Sequence, residues 1–372
     1  MYFDVKKRKI ISFFSLVFSS LGFTSGILLV RAFSNHESLS QVINLQSIVV
    51  FSSFILQFGL RAALRGHIYN GRIRLAQLSE RSLHYILALC SILVFFIEYL
   101  YGLYFYFCLS SLIALVTLRL TINVAKNNFL SIFKFSALNF FVAIVGSVCI
   151  LIFDEIEYAN ITIELFSLLI IIFTVKLNSF FYCLKYKTSL LKVYFDAQSF
   201  QLGSCVIALF IFLLSQTAIV QFSNSNQLSA YSDALIVSGF LVLLLGKLLL
   251  LFERKLYQEN AKHLRFFIIM ILSQTILASF FSLILSKVYS VSFLISFTVV
   301  FILLSRIPIG YIVQYEKENR FLLNVVSGLF FIGYICFYMF GFKSLDITLH
   351  ILPVIIFMLF GLFLFWRARN YD

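Results

Sequence analysis

A chain of 372 residues that is 61% hydrophobic, 18% aromatic and only 12% charged lies outside the composition of a water-soluble domain, where about a quarter of residues are charged. One helix crossing a bilayer needs about 20 apolar residues, so with its connection it consumes around 30, and twelve such units use the whole chain. No length remains for a soluble catalytic domain or a nucleotide-binding cassette, whatever acidic partner the net charge of +13 suggests.

Taken in chain order, apolar runs set against turn and charge punctuation predict spans over 10–30, 39–60, 83–99, 102–121, 129–152, 160–182, 199–221, 229–252, 264–286, 289–312, 321–341 and 346–366. The first follows Lys6-Lys7-Arg8-Lys9 and precedes no small-residue cleavage site, which predicts a retained helix and not a secretory signal. In the tenth, Pro308 removes a backbone donor and predicts either a kink or a helix end one turn early. The six cysteines form no CxxC pair and read as packing thiols. The five histidines are scattered singly, so neither metal nor another cofactor is expected.

Basic residues are retained on the cytoplasmic side of membranes. With an internal N-terminus and twelve alternating spans, all but Arg31, Lys287 and Lys343 of the 29 Lys and Arg fall on cytoplasmic connections or helix ends. A miscounted span would invert every later connection, so this partition supports an even span number with both termini cytoplasmic. The longest connections, about 61–82 and 183–198, are then cytoplasmic and basic.

The chain also repeats. Phe33-Ser34-Asn35-His36-Glu37-Ser38-Leu39-Ser40 matches Phe222-Ser223-Asn224-Ser225-Asn226-Gln227-Leu228-Ser229 at five of eight positions, at an offset of 189. The same offset places Arg65 on Arg254 and Asn44 on Asp233. Two six-helix lobes in the same orientation follow, 1–190 and 191–372, with an expected cavity between them.

Three segments carry a family likeness: Val30-Arg31-Ala32-Phe33 leading to Leu39, the run Gln57-Phe58-Gly59-Leu60-Arg61-Ala62-Ala63-Leu64-Arg65, and the turn Asn226-Gln227-Leu228-Ser229-Ala230-Tyr231-Ser232-Asp233-Ala234. Through them the chain resembles the Wzx-type O-antigen and capsular polysaccharide flippases of the multidrug/oligosaccharidyl-lipid/polysaccharide exporter superfamily. The likeness covers the whole chain in topology and some 30 residues in motif. It departs at Phe33-Ser34-Asn35 and Phe222-Ser223-Asn224, where the family usually has glycine in the turn. The resemblance implies an all-α polytopic membrane protein of twelve transmembrane helices in two pseudo-symmetric six-helix bundles, a MATE-like arrangement. It implies a flippase of the bacterial inner membrane that carries undecaprenyl diphosphate-linked oligosaccharide to the periplasmic leaflet by alternating access. Membrane lipid, a polysaccharide polymerase and a chain-length regulator are the implied partners, and nucleic acid is not.

A diphosphate crossing hydrocarbon must be met by fixed cations and hydrogen-bond donors, so cations within or near helices are the candidate site: Arg31, Arg61, Arg65, Lys176, Lys247, Arg254 and Arg306. Each has a second role open to it, snorkelling to the interface as a topology signal. Asn44, Gln46, Gln57, Gln216 and Gln274 are expected either to bind sugar hydroxyls or to join helices. Asp233 is the candidate for a coupling ion, proton or sodium, because its repeat partner Asn44 cannot titrate. Two other functions stay open. A polysaccharide polymerase is disfavoured by the short outer connections, and a drug or cation exporter by the excess of buried cations over carboxylates.

Overall fold

The computed structural model describes residues 36–369 apart from 103–104, 127, 154–155, 176–182, 184, 223–224, 257–262, 316–318 and 340–345. It is all-α, with no strand among the described residues. A chain this apolar has few other options, because backbone groups in hydrocarbon must find their hydrogen bonds within the segment. The helices are α1 His36–Leu56, α2 Leu60–Tyr69, α3 Ile73–Tyr101, α4 Phe107–Ala125, α5 Phe129–Ile152, α6 Ile156–Phe173, α7 Lys187–Gln221, α8 Ser225–Leu256, α9 His263–Tyr289, α10 Phe293–Leu304, α11 Arg306–Tyr315, α12 Arg320–Met339 and, after a 3₁₀ turn at Ile347–His350, α13 Ile351–Arg369.

Every predicted span from the second to the twelfth is helical over most of its described residues, the sixth as far as Phe173, and the first lies outside the described residues. Two segments differ from expectation. The stretch expected as a connection over 61–82 is itself helix, formed by α2 and the first turns of α3. The predicted tenth span is two helices, α10 and α11, separated at Ser305. Pro308 accounts for the break, since it cannot donate to the carbonyl four residues earlier and its ring crowds that carbonyl. The ladder resumes where Ile309 donates to the Ser305 carbonyl at 3.0 Å.

Helix positions repeat as well as residues. At the offset of 189, α1 falls on the first part of α8, and α3 ends at Tyr101 where α9 ends at Tyr289, 188 residues on. α4 corresponds in the same way to α10 and α11, and α5 to α12. The chain divides into two compact units, 1–201 and 202–372, the division falling inside α7.

In the first unit α4 packs against α1, α2, α3, α5 and α6. Apolar and small residues surround it on all sides, as a fully enclosed helix requires: Ser110, Ser111, Leu112, Ala114, Leu115 and Leu118 are all buried. α3 is two-faced instead. Leu83, Leu87, Ser91 and Glu98 face inward, while Leu89, Leu93 and Leu100 are exposed, a broad apolar surface of the kind lipid covers. Buried serines at 79, 91, 110, 111 and 167 let the helices approach closely, which drives association where lipid is as apolar as the core. In the second unit α10 takes the corresponding place, with Thr298 through Leu304 buried without interruption and α8, α9, α13 and the 3₁₀ turn packed on it.

Candidate functional site

The first cluster of predicted cations depends on a chain break. α1 ends at Leu56, and Phe58 and Gly59 adopt positive φ of 49° and 66° before α2 begins. A Cβ on Gly59 would stand 2.0 Å from the Ala197 carbonyl oxygen, so only glycine lets this turn lie against α7. The turn starts α2 in a new direction and places Arg61 and Arg65 on it one turn apart. Arg65 is buried and Arg61 is partly exposed. Beside them, Gln201 Nε2 donates to the Ile55 carbonyl at the end of α1 at 2.9 Å.

In the second unit Arg306 is the first residue of α11, at the proline-induced break. It is partly exposed, and no hydrogen bond or ion pair joins it to a described residue. Asp233 lies in the third turn of α8, and the Tyr289 hydroxyl at the end of α9 donates to its carboxylate. Lys247 and Arg254 lie on α8, but their side chains are outside the described residues, as are Arg31 and Lys176 altogether. Gln274 is buried and donates to the Phe301 carbonyl at 2.8 Å, so it joins α9 to α10. An apolar cavity of about 470 Å³ opens between α12 and the start of α13, lined by Leu329, Phe330, Leu349 and Leu352, with Tyr334 and His350 as its polar end. The Tyr334 hydroxyl and the Thr217 hydroxyl lie against the two ring nitrogens of His350.

Two polar assemblies in the first unit lie outside the candidate site; Glu98 and Glu164 read from the sequence only as carboxylates near the outer ends of their helices. The Arg119 Nε donates to Glu80 Oε1 at 2.6 Å, and Arg119 Nη2 donates to His84 Nδ1 at 2.8 Å. Since Arg can only donate, His84 accepts at Nδ1 and is left with Nε2–H to give to the Ile171 carbonyl at 3.0 Å. One ionic chain thus ties α3, α4 and α6 together. Nearer the opposite ends of these helices, Glu98 of α3 and Glu164 of α6 converge on the N-terminus of α4. Glu98 Oε1 accepts from Phe105 N at 2.9 Å and Phe107 N at 3.4 Å. Glu164 accepts from Cys108 N at 2.7 Å and Leu109 N at 3.2 Å. Glu80 and Arg119 lie 39 residues apart, and Glu98 and Glu164 lie 66 apart. A scan for local spacing has no signal for either pair.

Compared with solved structures, the chain is similar to a crystal structure of a mutant of the Vibrio cholerae MATE transporter VcmN, with a TM-score of 0.51 over 98% of this chain and 96% of that one, at 13% identity. The fold is that of a MATE transporter. No family model and no curated protein sequence matches the chain. At this identity the likeness concerns architecture, and residue roles rest on this chain's own geometry.

Proposed function

We propose that the protein is a membrane transporter that moves an anionic amphiphile, a polyisoprenoid diphosphate-linked O-antigen or capsule unit, from the cytoplasmic to the periplasmic leaflet of the inner membrane. Arg306 carries this reading. A guanidinium at a helix break within an apolar span, with no acidic partner among the described residues, is costly unless an anion completes it. Arg61 and Arg65 on α2 supply the first unit's cations. Arg31, Lys176, Lys247 and Arg254 belong to the same proposal on the strength of the sequence. So do cytoplasmic termini, membrane lipid as a second contact, and a polymerase and chain-length regulator as downstream partners.

A cationic cargo is less well served. The inward-facing carboxylates Glu80, Glu98 and Glu164 are engaged by Arg119 or by backbone N–H groups, and Asp233 by Tyr289. Deletion of the gene is expected to abolish surface polysaccharide and to accumulate lipid-linked repeat units in the inner leaflet. Arg306→Gln should reproduce that phenotype at wild-type protein levels. Undiminished surface polysaccharide in the Arg306→Gln strain would overturn the cationic mechanism. An unchanged deletion strain would overturn the cargo.

A further inference from the structure

α3 and α7 are longer than a bilayer requires. With 29 and 35 residues they measure about 44 and 52 Å, against about 30 Å of hydrocarbon. Their apolar stretches begin near Leu83 and Ser199, so the first turns of both helices project into the headgroup layer. There they pack together. Leu78, Cys183 and Leu190 are buried against Leu75 and Tyr186, and the Tyr194 hydroxyl lies 3.0 Å from the Ser82 hydroxyl.

This packing gathers cations from separate parts of the chain. The Arg74 guanidinium lies 5.9 Å over the Tyr186 ring, and Lys185 and Lys187, on either side of that tyrosine, are exposed. The Arg81 charge acts on both Cys183 and Lys126, the residue after α4. Burial, and then Arg81, hold the Lys126 ammonium below its ordinary value of 10.5, against the opposing pull of Glu80. No ion pair joins Arg74, Lys126, Lys185 or Lys187 to an acid among the described residues. Glu80 is held by Arg119 at 2.6 Å, and Asp196 acts on His67 of α2.

Apolar side chains are exposed among these cations. On α7, Lys187, Leu191 and Phe195 follow at four-residue spacing along one stripe, with Leu191 56% and Phe195 67% exposed, while Leu190, Val193 and Ala197 are buried. Such a surface at headgroup depth complements an anionic amphiphile, offering cations to its phosphate and apolar groups to its chain. A soluble acidic partner would leave Leu191 and Phe195 in water.

Retention of basic residues on one side of the membrane explains their number, but not why three segments bring them together. The fold does not demand them either. At the offset of 189, Arg74, Arg81 and Lys126 correspond to His263, Met270 and Tyr315. Those three are buried, with the His263 and Tyr315 rings stacked at 5.5 Å. The second unit packs uncharged or aromatic groups where the first keeps cations.

We propose that the surface where the starts of α3 and α7 meet the end of α4 is a binding site for anionic phospholipid, with the headgroup phosphate on Arg74, Arg81, Lys126 and Lys185 and an acyl chain along Leu191 and Phe195. This goes beyond the transport reading and needs from it only a chain that spans a membrane. The two stand or fall separately, because no cargo enters the test.

The test places a reporter at the site, Phe195→Trp in a Trp366→Phe background, Trp366 being the one tryptophan of the chain. The full-length protein is reconstituted in vesicles of equal parts phosphatidylglycerol and phosphatidylcholine, with one lipid or the other carrying brominated chains that quench tryptophan on contact. Quenching should show phosphatidylglycerol preferred about tenfold at the reporter. Replacing Arg74, Lys126 and Lys185 together by Gln should remove that preference, and replacing Arg265, Lys287 and Arg367 by Gln should leave it. Equal quenching by the two lipids, a preference that survives the first triple variant, or one lost in the second would overturn the site. Sodium chloride should weaken the preference by screening, and a salt-independent preference would overturn its electrostatic basis even if a triple variant fails to fold. Inorganic phosphate at matched ionic strength should displace no more phosphatidylglycerol than chloride does. Stronger displacement would overturn the choice of lipid over free phosphate.

Discussion

Gly59 shows how much a single position can determine. Any other residue there would place a Cβ 2.0 Å from the Ala197 carbonyl oxygen while holding φ at 66°. Gly59→Ala is expected to cost about 2 kcal/mol or more, seen as a lower melting temperature of the detergent-purified protein. Arg119 is a second such residue, since its removal takes from buried Glu80 its ion-pair partner at 2.6 Å and leaves only the more remote charge of Lys126. Arg119→Gln should cost about 3 kcal/mol, and Glu80→Gln in the same chain should recover part of it, as a double-mutant cycle on thermal stability would record. His67, on α2 between Asp196 and Arg72, is held below its ordinary value of 6.5, chiefly by desolvation and secondarily by the Arg72 charge, against the opposing pull of Asp196. The folded state therefore binds this proton less readily than the unfolded chain. Stability should be complete at pH above 6.5 and decline as pH falls through that value. His67→Gln is expected to flatten that part of the stability–pH curve, while an unchanged slope would show that His67 does not govern it.

At the scale of elements, hydropathy located the described helices, seven of them long and apolar enough to cross a membrane, because an apolar run of about 20 residues has few alternatives to a bilayer helix. The break inside the predicted tenth span was foreshadowed by Pro308, yet its position at Ser305 required the backbone. The interrupted hydrogen-bond ladder makes α10–α11 a natural hinge. Pro308→Ala, which restores a donor toward Leu304, is expected to leave the melting temperature unchanged or raised while export falls several-fold. Equal export in the variant and wild type would show that the break serves packing alone. The helical character of 61–82 was not legible. Its glycines and arginines read as connection punctuation, and α2 is stabilised by packing on α3 and α4, which no local pattern reports.

For the whole molecule, the distribution of charge predicts orientation. Reporters fused at either terminus should be cytoplasmic, and one placed beside Lys287 should be periplasmic; the reverse pattern would refute the assignment of sides. The repeat at an offset of 189 extends from five matches in eight residues to the order of helices in both halves, and the fold is similar to that of a MATE transporter. Span number, helix order, duplication and the candidate cations were thus determined by the sequence, because hydrophobic length, charge asymmetry and repetition are properties of residues near one another in the chain. Which cation lacks a partner, which carboxylates meet, and which glycine touches a neighbouring carbonyl were decided only by the tertiary structure. Those facts depend on helices brought together across tens to more than a hundred residues of chain, a separation that no local pattern of residues reports.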